Sequence, residues 1–79
     1  MKISPDPASG IARIVLDAPS DGESRLEVYD MLGRRISVVA DGFSGEKEFS
    51  LSTAHLTSGI YTLILSGAKN ETQKLVVSH

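Results

Sequence analysis

The chain reads as an all-β protein, two antiparallel sheets packed face to face. Three features lead there. Apolar residues recur at every second position, seven glycines and three prolines cut the sequence into short segments, and no stretch keeps a helical apolar period long enough for an independent helix. One sheet alone would leave an apolar face wet, whereas two sheets cover each other's inward residues. The 79 residues make a single domain spanning 1–79. A domain this small hides only about 60% of its unfolded surface, so its core is thin.

Six strands follow in order, or seven if KIS near the start pairs before Pro5 and Pro7 interrupt it. In IARIVL, Ala12, Ile14 and Leu16 fall on one side and Arg13, Val15 and Asp17 on the other. Pro19, Asp21 and Gly22 supply a turn through fixed φ, local side-chain bonding and free φ respectively. SRLEVYD then sends Leu26 and Val28 inward and Arg25, Glu27 and Tyr29 outward, while RRISVVA sets Ile36, Val38 and Ala40 on one face. Asp41-Gly42 ends that strand, and EKEFSL contributes Phe49 and Leu51 after a loose connection at Gly45. LSTAHLTSG breaks the alternation. Ser52 or Thr53 caps at most one short helical turn near residues 52–57, with Leu56 as its packed anchor and Gly59 as its stop. GIYTLILS presents Tyr61, Leu63 and Leu65 on one face and Ile60, Thr62 and Ile64 on the other, the pattern of a strand that is central or covered twice. Gly67 to Asn70 turns the chain into the closing strand ETQKLVV.

The bend in YDMLGRRI is the best-specified turn. Asp30 is placed to accept backbone bonds and Gly33 to take the positive φ that closes a type I turn with a bulge, bringing Val28 within a residue or so of Ile36. None of this needs a ligand. Met31 and Leu32, however, are out of character for a wet turn: either one folds back over the end of the sandwich, or both make a small sticky tip beside Tyr29. Arg34 and Arg35 alternate to opposite faces, and no glycine-rich loop enters a helix to make them a phosphate grip.

The composition excludes most chemistry. Without cysteine there is no disulfide and no thiolate metal site. Ten acidic and eight basic residues, a formal charge of −2, show no lean towards nucleic acid or an anionic membrane. The apolar runs fall far short of the ~20 residues of a spanning helix, and no basic stretch followed by an apolar core, the pattern of an export signal, opens the chain. Ser52, His55 and Asp41 are the right residue types for a triad, but the sequence lacks a nucleophile elbow, so no catalytic site is expected. His79 reads as a frayed end, and Asp6, Asp17, Asp21, Glu46 and Glu48 are too scattered for a calcium loop, so no metal or other cofactor is expected. Tyr29 and Tyr61 read as anchors that bury a ring and keep the hydroxyl bonded. With four aromatics and no tryptophan, a sugar-stacking row is a weak alternative.

Four segments together resemble the C-terminal sorting domain carried by cargo of the type IX secretion system of the Bacteroidetes: SPDPASG with Pro5 and Pro7, LEVYDMLGRRI with Tyr29, Asp30 and Gly33, LTSGIYTLILS with Leu56, Gly59 and Tyr61, and the closing KLVV. The resemblance runs from about Ile3 to Val77, and departs from the family at Asp6, where asparagine is usual. It implies an immunoglobulin-like sandwich at the end of a larger exported protein, whose signal peptide belongs to the parent's start. It further implies recognition by outer-membrane translocation machinery and, in many members, removal by a sortase-like protease. The route passes through the periplasm to the cell surface or medium. The residues placed for such recognition are Met31, Leu32 and Arg34 on the bend and Lys74, Leu75, Val76 and Val77 on the last strand. Two other readings share this fold: a structural or adhesive spacer of a secreted enzyme or surface protein, with or without a sugar-binding face, and an assembly module like that of flagellar hook-capping proteins.

Overall fold

A computed structural model describes residues 1–4, 10–17, 22–68 and 70–79. Seven strands account for most of them: β1 (Lys2–Ser4), β2 (Ile11–Val15), β3 (Ser24–Tyr29), β4 (Arg35–Phe43), β5 (Glu48–Ser52), β6 (Gly59–Gly67) and β7 (Glu71–Val77). They form a three-stranded sheet in the order β1-β2-β5 and a four-stranded sheet in the order β4-β3-β6-β7, with every pairing antiparallel. The division into two sheets, with β3, β6 and β7 adjacent in one and β2 and β5 in the other, is that of an immunoglobulin-like sandwich. Pro5, Asp6, Pro7, Ala8 and Ser9 of the first proline segment lie outside the described residues, as do Pro19 and Asp21 of the next turn and Lys69 of the last.

Simple alternation builds the core wherever the ladders are regular. β3 runs against β6 without a break, Leu26 opposite Leu65 and Val28 opposite Leu63, and all four side chains are buried. Ala12, Ile14 and Leu16 face them from the three-stranded sheet, Leu51 beside them, while Leu75 and Val77 extend the layer to β7. Phe43 and Phe49 meet with ring centroids 4.6 Å apart and planes inclined at 58°, packing the two sheets together where β4 hands the chain to β5.

β4 departs from the alternation its sequence suggests. Its pairing with β3 slips three times, leaving Gly42, Val39 and Ile36 as extra residues between paired positions. Each slip inverts which side chains face inward. Val39 and Ala40 therefore pack against the core, whereas Ile36 and Val38 stay 41% and 43% exposed instead of sharing an inward face with Ala40. Asp41-Gly42 does not end the strand. Gly42, at φ 68°, is one of the bulges, and the strand continues to the buried Phe43.

The connection after β5 contains no helical turn, only a tight bend in which the Leu56 amide donates to the Thr53 carbonyl at 3.0 Å. Leu56 is the buried anchor expected of it. At the opposite end, Gly67 takes φ 112° while passing so close to β3 that a Cβ there would lie 2.5 Å from the Glu23 carbonyl oxygen. Only glycine fits that crossing.

Replacing Leu63 with alanine, in the fully buried centre of β6, is expected to cost about 2–5 kcal/mol. Val38→Ser on the outer face of β4 is expected to stay within about 1 kcal/mol. Urea unfolding of the two variants tests the assignment of faces; equal losses would contradict it.

Candidate functional site

The β3–β4 hairpin is held by one carboxylate. The Asp30 amide donates to the Arg34 carbonyl at 2.9 Å and the Gly33 amide to the Asp30 carbonyl at 3.1 Å, with Gly33 at φ 81°. This is the three-residue loop of a type I turn closed by a left-handed glycine. Asp30 Oδ1 also accepts the amides of Leu32 and Arg34, each at 2.9 Å, and Oδ2 accepts from Arg34 Nε at 2.8 Å. The Arg34 amide, followed by the Arg34 side chain and the Leu32 amide, holds the Asp30 carboxyl below the usual aspartate range against the opposing effect of desolvation. Nothing crowds Gly33, so backbone conformation alone fixes glycine there.

This cross-linked loop presents Met31 and Leu32 to solvent, 70% and 79% exposed. Neither folds back over the sandwich. On one side of the tip a groove of about 600 Å³ is lined by Tyr29, Asp30, Met31, Gly33, Thr62 and Ile64. On the other, a groove of about 380 Å³ includes Leu32, Arg34, Ile36, Ile60 and Tyr61. The bulge that expels Ile36 from the core thus adds a third apolar side chain beside the tip, with Ile60, 45% exposed, as a fourth.

The floor beneath is tied by hydrogen bonds. The buried Tyr61 donates its hydroxyl to the Thr57 carbonyl at 2.7 Å and lies 3.1 Å from the Thr57 hydroxyl, closing the corner between β5 and β6. His79 is tied to the same corner and is not frayed: its amide donates to Ser58 Oγ at 3.0 Å, and its Nε2 donates to the Leu56 carbonyl at 2.8 Å. The bend, the corner at residues 56–61 and the end of the chain after β7 therefore come together at one end of the domain.

The last strand divides into two roles. Leu75 and Val77 are core residues, each 1% exposed, so their side chains cannot meet a partner. Lys74 is exposed and Val76 half-buried on the outer face, and β7 is the edge strand of its sheet. For Glu27, alternation gives the face but not the burial. It points to the outer face as expected, yet is buried there between β4 and β6, with Arg35 Nη1 at 3.1 Å from its carboxylate.

The residue types of a triad are not brought together. Asp41 pairs with Arg25 in the four-stranded sheet, Ser52 faces solvent on the three-stranded one, and His55 is exposed on the bend between sheets. Among the described residues no three histidine or acidic side chains converge on a metal position.

The model of the secretion system C-terminal sorting domain covers residues 2–78, and the chain belongs to that family. No curated protein and no solved structure matches it. The chain is accordingly a non-catalytic sorting module of type IX secretion cargo, and an extracytoplasmic protein.

Two outcomes test the geometry of this end. Tyr61→Phe keeps the ring and loses both hydroxyl contacts, an expected cost of about 1–2 kcal/mol in urea unfolding; an unchanged midpoint would contradict the corner. Asp30 has a lowered folded-state pKa, so its stabilisation is complete above the ordinary aspartate value of about 4 and disappears as pH falls through the lower folded value. The stability gap between wild type and Asp30→Ala is therefore expected to be constant from neutral pH down to about 5 and to shrink below about 4. A gap that widens on acidification would contradict the carboxylate's role.

Proposed function

We propose that the sorting module acts as a passive address, read by the outer-membrane translocation machinery through the apolar tip at Met31 and Leu32 and through the open edge of β7. The tip carries the proposal. A wet three-residue turn ordinarily presents polar side chains, and here an ion-paired aspartate with five hydrogen bonds fixes two large apolar ones in water. Holding them in one shape before contact lowers the ordering cost of binding, which favours a recognition element over a flexible linker.

In this reading Arg34 braces the turn through Asp30 and leaves its aliphatic stem alongside the groove that holds Ile36 and Ile60. Lys74 and Val76 contribute from the outer face, and Leu75 and Val77 act by keeping β7 docked on the core. The domain is the C-terminal part of a larger cargo protein, crosses the periplasm with it, and is exposed at the cell surface or in the medium, where a sortase-like protease removes it. It supplies the surface that is read and does no chemistry itself.

The test attaches the domain to a signal-bearing fluorescent reporter in a host with the export system, comparing wild type with the Met31→Ser/Leu32→Ser double variant. The melting transition of the variant is expected to match wild type, since both residues are already in water, while surface delivery falls at least several-fold and intact reporter accumulates in the periplasm. Undiminished delivery of the folded variant rejects the tip as the address.

A further inference from the structure

Four strand edges bound the two sheets, and three are blunted. β1 and β5, at the edges of the smaller sheet, are only three and five residues long. β4, at one edge of the larger sheet, has its backbone interrupted by three bulges. β7 differs. All seven of its residues pair with β6 in unbroken register, from Glu71 opposite Leu65 to Val77 opposite Gly59, and among the described residues no strand covers its far side. A regular open edge of this length offers backbone groups to any extended chain unless a side chain limits it.

Lys74 stands at the midpoint of that strand. It is exposed on the outer face, with Thr62 as its neighbour on β6. The arginines of the same sheet are each engaged: Arg25 with Asp41, Arg34 with Asp30 and Arg35 with Glu27. No carboxylate among the described residues takes Lys74. A second copy of the chain approaching this edge meets a specific obstacle. The antiparallel register that pairs all seven residues and keeps buried faces together sets Glu71 against Val77 and Lys74 against Lys74. Like charges directly opposite one another destabilise a ladder, and a shift that separates the lysines gives up pairs at the strand's ends.

We propose that Lys74 sets the pairing selectivity of the β7 edge: it turns away a second copy of this chain and accepts an extended segment of a partner protein that places a carboxylate opposite it. Val76, half-buried two positions along on the same face, adds a second term to that pattern. The incoming strand carries an apolar residue two positions from its acid, on one face. This deepens the reading of β7 as an export contact, and rests on that reading only for where the partner is found. The pairing chemistry rests on the strand itself.

A charge exchange between copies tests it with purified protein. Wild-type domain labelled with ¹⁵N is titrated with unlabelled Lys74→Glu domain, and separately with unlabelled wild type; Lys74→Gln serves as the neutral comparison. The mixed pair sets Lys74 against glutamate, and is expected to shift amides along Glu71–Val77 with at least about fivefold tighter association than wild type with itself, the neutral variant falling between. Lys74 is exposed, so all three proteins are expected to fold alike, which their unperturbed spectra check. No β7 shifts in the mixed titration, or wild-type self-association through β7 of equal strength, overturns the proposal. Export plays no part in this titration, so a failure of the export reading and a failure of the pairing rule are distinguishable.

Discussion

The face-to-face burial of two small sheets governs everything else in this domain. Leu26, Val28, Leu63 and Leu65 form an unbroken block on β3 and β6, and Ala12, Ile14 and Leu16 close over it from the other sheet. With no cysteine to form a disulfide, this contact has to offset the chain entropy of ordering the strands, which runs to about 1–2 kcal/mol per residue. Little inward surface is spare. Side chains that cannot join the block, including Ile36, Val38 and Ile60, remain on the outside and give the domain its exposed apolar character.

Where ladders are regular, the sequence carries the structure openly. Alternation in β2, β3, β5 and β6 assigns the core side chains correctly, and Asp30 with Gly33 specifies the hairpin loop down to its bonding. β4 resists such reading because parity is lost at each bulge. Nothing in RRISVVADGF marks Val39 and Ile36 as extra residues, and Gly42 looks like a terminator when it is a bulge. A bulge is decided by what the neighbouring strand can bury, which is information from elsewhere in the chain. The same holds for His79, whose partners Leu56 and Ser58 lie more than twenty residues away in sequence. It holds also for Glu27, where the strands on either side cover an outward-facing carboxylate that Arg35 then neutralises. In the closing strand the resemblance singles out Lys74 to Val77 as one segment, and the packing separates it into two core residues and two outer-face residues.

Membership of a sorting-domain family accounts for features that make little sense in a catalyst. Polar side chains are spent on bracing: Asp30 on the hairpin, Tyr61 on the corner, Glu27 and Arg35 on the sheet. The bracing concentrates around one end, where the hairpin tip, the β5–β6 corner and the chain after β7 meet. Under the proposed recognition role such bracing is an advantage, because a partner then meets surface already arranged. Its edges are also unequal, β4 being broken by bulges while β7 runs straight.

Amide hydrogen exchange, followed residue by residue in the native domain, tests the two-sheet arrangement most directly. Backbone amides of β3 and β6, paired on both sides, are expected to exchange slowest. In β7 protection is expected to alternate, since only every second amide faces β6 and the others face solvent. Uniform protection along β7, or protection centred on β4 instead of β3 and β6, would contradict the architecture on which the rest depends.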